Sequence, residues 1–259
     1  MHTESSAIPC SATDEPHVDP LRLPLLELIA ADGLPKTDAR DCPYLPGRLS
    51  RCDGFSAASL HGRTYQELMD LGFRRSGTIF YRPRCPSCDA CQPLRVPVDA
   101  FAPSRSQRRV LRRNADLLVR VGRPHLTAAK ERLYQRYREY QHPGSPQTAD
   151  PQGLDEFLYQ SVVDSLEATY AAPDGRLIGV SILDITDRAV SSVYHYFDPD
   201  EAHRSLGVFS ILHEIDLTRR WDRPHYYLGY WITGCATMDY KARYRPHELL
   251  IDGKWVRRD

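Results

Sequence analysis

The chain has 259 residues, with 34 basic against 34 acidic side chains and 41% hydrophobic residues, enough for one large domain or two modest ones with buried cores. Balanced charge excludes a polyanion binder that works through an overall basic excess, so any nucleic-acid site must be local. The first twenty residues carry Glu4, Asp14, Glu15 and Asp19 with no Lys or Arg, and no apolar run approaches membrane-spanning length, which argues against a signal peptide or a spanning helix and sets the expectation of a cytoplasmic protein.

Residues 1–20 are polar and proline-bearing and read as a flexible tail that includes Cys10, with order beginning near Leu21. The stretch "DCPYLPGRLSRCDGF" has too many prolines and glycines for an element interior, which puts Cys42 and Cys52 in a loop. "TYQELMDLGF" opens with a capping box from Thr64 to Glu67 and stops at Gly72, predicting a short helix. "FRRSGTIFYR" reads as a strand and "LRVPV" from Leu94 as its return, so "RCPSCDACQP" between them would cap a hairpin. From Arg105 to Arg123 seven arginines stand against Asp116 alone, the seam between an N-terminal half, 21–123, and a C-terminal half, 124–259.

Beyond the seam, Leu126, Leu133, Tyr137 and Tyr140 repeat at helical spacing up to "HPG", and a second helix follows from Leu154. "LEATYAAPDGRLIGVSILDIT" reads as two antiparallel strands turning at Pro173, Asp174 and Gly175, and "AVSSVYHYF" as a third. Val208, Ile211, Leu212 and Ile215 mark a helix whose polar face carries His213, Glu214 and Arg219, and "HYYLGYW" returns to strand. Helix, helix, three strands, helix, strand, with the last helix starting after "HRSLG", resembles a GNAT acyltransferase. The fold class expected is therefore α+β, a GNAT-like domain with a mixed, largely antiparallel sheet, preceded by a smaller cysteine-containing domain. In such folds a helix N-terminus holds an anion, for which Arg204 and Gly207 are candidates. Bulky Phe209 argues against the close backbone approach that the pyrophosphate of an acyl-CoA needs.

Cys85, Cys88 and Cys91 stand two residues apart in one loop, with Cys42 or Cys52 available as a fourth ligand. Such spacing suits tetrahedral zinc or an iron–sulfur cluster, and a loop of free thiols without metal is the plain alternative. Arg105, Arg108, Arg109, Arg112 and Arg113 fall on one side of a helix, either a phosphate-tracking surface for tRNA or a solvated face, with no aromatic residue interleaved to stack on bases. "LGYWITGCATMDYKARYRP" packs hydroxyls and cations into the segment that leaves a central strand.

"CPYLPGR", "LGFRRSG", "YRPRCPSCDACQPLRVPV", "RSQRR", "FDPD", "RSLG" and "LGYWITGCATMDYKARYRP" together resemble the bacterial aspartate/glutamate leucyltransferases, relatives of the eukaryotic arginyl-tRNA-protein transferases. The resemblance implies transfer of leucine from leucyl-tRNA to the N-terminal α-amine of proteins beginning with Asp or Glu, marking them for degradation by the N-degron route. It also implies that no cofactor is required for transfer, while cysteines of the eukaryotic relatives are associated with an iron–sulfur cluster; here the metal set would be Cys42, Cys85, Cys88 and Cys91.

An aminoacyl ester is already activated and an α-amine with a pKa near ~8 is partly neutral at cellular pH, so positioning and oxyanion stabilisation suffice. Arg74 and Arg75 are the candidates for the acceptor's carboxylate. Asp198 is the candidate to accept a hydrogen bond from, or help deprotonate, the acceptor amine, and equally a candidate turn cap. Tyr194, Tyr196, Tyr230, Lys241 and Tyr244 are placed around the aminoacyl end, with Asp198, Tyr230, Lys241 and Tyr244 as the catalytic set. Two other readings stand beside this one: a GNAT enzyme using acyl-CoA on a protein amine, and a non-enzymatic metal-stabilised RNA-binding protein.

Overall fold

The computed structural model describes residues 19–141 and 151–259. The expected tail, with Cys10, and the helix stop at "HPG" lie outside these residues, apart from Asp19 and Pro20. The N-terminal part holds α1 (Arg22–Ala30), the short strands β1 (Arg40–Asp41) and β2 (Leu49–Ser50), then β3 (Cys52–Ser56), α2 (Gly62–Asp70), β4 (Arg74–Ser76) and β5 (Ile79–Pro83). β3, β5 and β4 form a three-stranded antiparallel sheet in that order. Its apolar face, with Phe55, Phe73 and Phe80, packs with Tyr65, Leu68 and Met69 of α2.

Next come β6 (Cys91–Pro97), α3 (Arg105–Arg113), β7 (Leu118–Gly122), α4 (Ala128–Gln141), α5 (Pro151–Leu154), β8 (Ser165–Ala171), β9 (Leu177–Ile185), β10 (Ala189–Phe197), α6 (Leu206–Arg220), β11 (His225–Ile232), β12 (His247–Ile251) and β13 (Lys254–Arg258). An eight-stranded sheet orders them β13-β12-β6-β11-β10-β9-β8-β7. β7 to β10 are antiparallel neighbours, and β11 lies parallel to β10 after the crossover through α6. This is the GNAT-like core expected from the element order. β8, β9, β10, α6 and β11 fall where the hydrophobic periods placed them.

Three expectations change. "FRRSGTIFYR" is two strands, because Gly77 takes φ +57 and turns the chain between β4 and β5. β6 then joins the large sheet beside β11, so the cysteine loop links two sheets and caps no hairpin. The large sheet accordingly draws β6 and β7 from sequence ahead of residue 124. In α2 the N-cap is His61, whose ring accepts from the Arg63 N–H, while Glu67 is held by Arg22.

Candidate active site

β10 and β11 are parallel over three pairs only, Ala189 with His225, Val190 with Tyr226 and Ser191 with Tyr227. Past that point each carries a register shift against its other neighbour, at Ser192/Tyr194 on β10 and at Tyr227/Gly229 on β11. Bulges bend strands and re-aim side chains, and here the two strands part. Arg74 enters the gap from β4: its Nη1 donates to Ser191 Oγ at 2.9 Å and its Nη2 to the Ser192 carbonyl. Lys241 arrives from the 3-10 turn Asp239–Arg243 and donates to the Tyr230 carbonyl at 2.9 Å. A Cβ on Gly229 would meet Lys241 Nζ at 3.1 Å and Arg74 Nε and Nη2 at 3.9 Å. Glycine is required there twice, by φ +91 and by two cations closing on its Cα.

Arg74 and Lys241 are 9% and 8% exposed, and among the described residues neither pairs with a carboxylate. Burial, with Arg74 adding repulsion, pushes Lys241 down to about 7. Two desolvated cations held together are unfavourable until an anion joins them. The neighbouring wall is Tyr230, whose hydroxyl donates to the Gly72 carbonyl at 2.8 Å, and Tyr81, whose ring centroid lies 6.5 Å from that of Tyr230.

The other predicted residues are distributed differently. Arg75 is fully withdrawn: Nε and Nη2 donate to the Asp184 carboxylate at 2.8 and 2.6 Å, and Nη1 to the Gly77 carbonyl at 2.7 Å. With each of its three nitrogens engaged and its side chain fully buried, it presents no open edge to a substrate carboxylate, unlike Arg74. Asp198 caps the 3-10 turn Pro199–Arg204 through the Asp200 N–H and is held by Arg136 and Arg176, so its carboxylate is engaged in the turn. Arg204 forms a two-pronged pair with Asp116 at 2.9 and 3.0 Å and a third contact to Glu201, so it offers nothing to an anion at the start of α6. Phe209 turns into the core beside Tyr170 and His213 and does not block that helix mouth, which removes its bulk as an argument against acyl-CoA.

Tyr194 and Tyr196 share the Asp184 face of the sheet, but they pack with Tyr134 of α4, and Tyr196 exchanges a 2.6 Å hydrogen bond with Tyr159. They belong to the core cluster between the sheet and α4. Tyr244 is 2% exposed and sits with Phe101, in the core cluster that holds Ile211, Leu212 and Ile215 of α6. Arg105, Arg108, Arg109, Arg112 and Arg113 are all exposed on α3, opposite the buried Gln107, and among the described residues none pairs with a carboxylate.

The structure gathers the thiols. Burial first, then Cys85, Cys42, Cys88 and Cys52, push the Cys91 thiol up to about 12, so all five lie in one electrostatic neighbourhood, each unbridged. The donor chemistry suits zinc or an iron–sulfur cluster. Yet among the described residues no three His, Cys, Asp or Glu side chains are placed to hold one ion.

Sequence reasoning missed Ser191, Ser192 and Gly229, since bulges leave no residue signature. It also set Glu214 on a polar face, whereas Glu214 is 0% exposed, accepts from Tyr226 Oη at 2.5 Å and is pushed up to about 7 by burial.

Residues 40–109 match the family described as arginine-tRNA-protein transferase, N terminus, and residues 129–251 match its C terminus. Aspartate/glutamate leucyltransferase of Marinobacter nauticus is 41% identical over 85% of this chain and 93% of its own length. That of Gluconacetobacter diazotrophicus is 42% identical over 83% and 84%. Among solved structures, FemX aligns over 70% of this chain and 64% of its own at 10% identity, with a TM-score of 0.47.

Proposed function

The chain belongs to the aspartate/glutamate leucyltransferase family and is an aminoacyltransferase with a tRNA donor and a protein acceptor; on that premise we propose that the parted strands β10 and β11 bring a leucyl-tRNA ester to the α-amine of a protein beginning with Asp or Glu. The observation that carries this reading is the buried pair Arg74 and Lys241, which lacks a counter-ion among the described residues. An acidic first residue supplies one. Its carboxylate accepts from the guanidinium and the ammonium, and its entry returns to Lys241 the proton that burial and Arg74 had loosened. A neutral Asn or Gln leaves both cations uncompensated, which is how the site selects.

With the side chain held, the α-amine is fixed beside the ester carbonyl, and a usable fraction is neutral at a pKa near ~8. The amine nitrogen bonds to the ester carbon, the bond between that carbon and the ribose oxygen breaks, and the proton lost by the amine passes through solvent to the departing ribose oxygen, so the tRNA leaves with its hydroxyl restored. Tyr230 keeps its phenol on the Gly72 carbonyl and its own carbonyl on Lys241, so it positions the lysine. The product, with leucine at its N-terminus, enters the N-degron route of degradation in the cytoplasm. The thiol group of Cys42, Cys85, Cys88 and Cys91 braces the wall that carries Tyr81 and β6, with or without a bound metal.

Incubating the protein with leucyl-tRNA and peptides that start with Asp, Glu, Asn, Gln, Arg or Ala, followed by mass spectrometry, tests the reading. Leucine added to the acidic peptides alone supports it. Equal addition to all six retires the cation pair as the selector, and acylation from acetyl-CoA without tRNA would replace the donor.

A further inference from the structure

The turn Asp239–Arg243 has two sides. Lys241 points to Arg74 and Gly229, while Tyr240 and Arg243 line a pocket of about 200 Å³ with Ser106, Gln107, Val110 and Val208. The pocket therefore runs along one flank of α3 and meets the start of α6. Its size is below the ~300 Å³ at which drug-sized ligand sites begin, so it suits one ring system. Tyr240 is 37% exposed, a large aromatic left open beside cations. On the outer face of α3 stand the guanidinium groups of Arg105, Arg108, Arg109, Arg112 and Arg113, none engaged with a carboxylate among the described residues, and exposed Arg243 stands on the rim. Arg108 and Arg113 each also donate to a backbone carbonyl, of Pro103 and His203; an aromatic platform on one flank of a helix whose outer face carries arginines without carboxylate partners has the parts of a site for single-stranded nucleic acid, with stacking for the base and charge for the phosphates. The primary sequence concealed it because the stacking residue lies more than a hundred positions from the arginines.

We propose that this pocket receives the 3′-terminal nucleotide of the donor RNA, stacked on Tyr240, with the phosphates that precede it tracking the arginine face of α3. The proposal deepens the leucyl-tRNA reading and rests on it. Tyr240 and Lys241 are adjacent in sequence, so the pocket and the cation pair lie on the two sides of one turn.

The test is equilibrium binding of two RNAs, deacylated tRNA and the same tRNA lacking its 3′-terminal adenosine, to the full-length protein and its variants. The wild type should prefer the intact RNA by on the order of tenfold to a hundredfold, as expected for one stacked base. Tyr240→Ala should bind both equally, at the level of the shortened RNA, and Tyr240→Phe should restore the preference. Reversing Arg109 and Arg112 to Glu should lower the slope of log affinity against log salt by about 2 while leaving the preference intact. In transfer assays Tyr240→Ala should raise KM for leucyl-tRNA and not for the peptide. Equal binding of the two RNAs by the wild type overturns the proposal, as does a rise confined to the peptide KM, which would make the pocket a polypeptide site. A wild type that binds with this preference but transfers no leucine would overturn the functional reading and leave the nucleotide site standing.

Discussion

Replacing Lys241 with Met removes a buried charge and keeps most of the volume. A fall from 10.5 to about 7 corresponds, at 1.36 kcal/mol per pH unit, to about 4–5 kcal/mol of destabilisation while the folded lysine is charged. The lost hydrogen bond to the Tyr230 carbonyl offsets about 1 kcal/mol of that gain, leaving the variant about 3–4 kcal/mol more stable at low pH. The sign follows from linkage. The folded value lies below the unfolded one, so between about 7 and 10.5 the unfolded chain holds the extra proton and wild-type stability climbs with pH. Thermal melts from pH 6 to pH 10 should therefore show Lys241→Met melting about 10 °C above the wild type at pH 6, with the gap closing as pH rises above 7. The same variant should lose transfer to Asp and Glu peptides. A variant less stable than the wild type at pH 6, or a gap independent of pH, would refute the claim that the lysine is held uncompensated.

Arg75→Gln should lower the melting temperature by about 10 °C, since it strands the buried Asp184 carboxylate, a loss of about 3–5 kcal/mol; Arg74→Gln in the same melt should change little or stabilise. Asp198→Asn should shift stability by about 1–2 kcal/mol, because Arg136 and Arg176 are half exposed, and the pH profile of transfer should stay in place, whereas a hundredfold loss would restore Asp198 as a base. Gly229→Ala forces a side chain to φ +91 against Lys241 and should cost about 1–3 kcal/mol in denaturant unfolding, with a raised KM for acidic peptides.

The C-terminal core was legible because β8, β9, β10 and α6 each carry an unmixed hydrophobic period. The β5–β6 hairpin was not: alternation marks a strand but says nothing about which sheet it joins, and Gly77 looks like any turn glycine until its φ is seen. Arg74 and Arg75 are adjacent and chemically identical, and the residue that separates them, Asp184, lies 109 positions from Arg75. Glu214 was misplaced because α6 is covered on its second face by α3 as well as by the sheet, so its polar stripe is not a solvent stripe. The motif alone points to Lys241; its meeting with Arg74 depends on two bulges that no spacing rule reports.

The most direct measurement is kcat/KM for two peptides that differ only in Asp or Asn at the first position, with leucyl-tRNA as donor, in the wild type and in Arg74→Gln. Losing charge-assisted hydrogen bonds to a buried site is worth about 1.5–3 kcal/mol each, so the wild type should favour Asp by on the order of a hundredfold or more, and the variant should bring the two peptides within about tenfold while still transferring to Asn. An Asp preference that survives the substitution, or equal losses for both peptides, would contradict the assignment of Arg74 and Lys241 as the acceptor's carboxylate site.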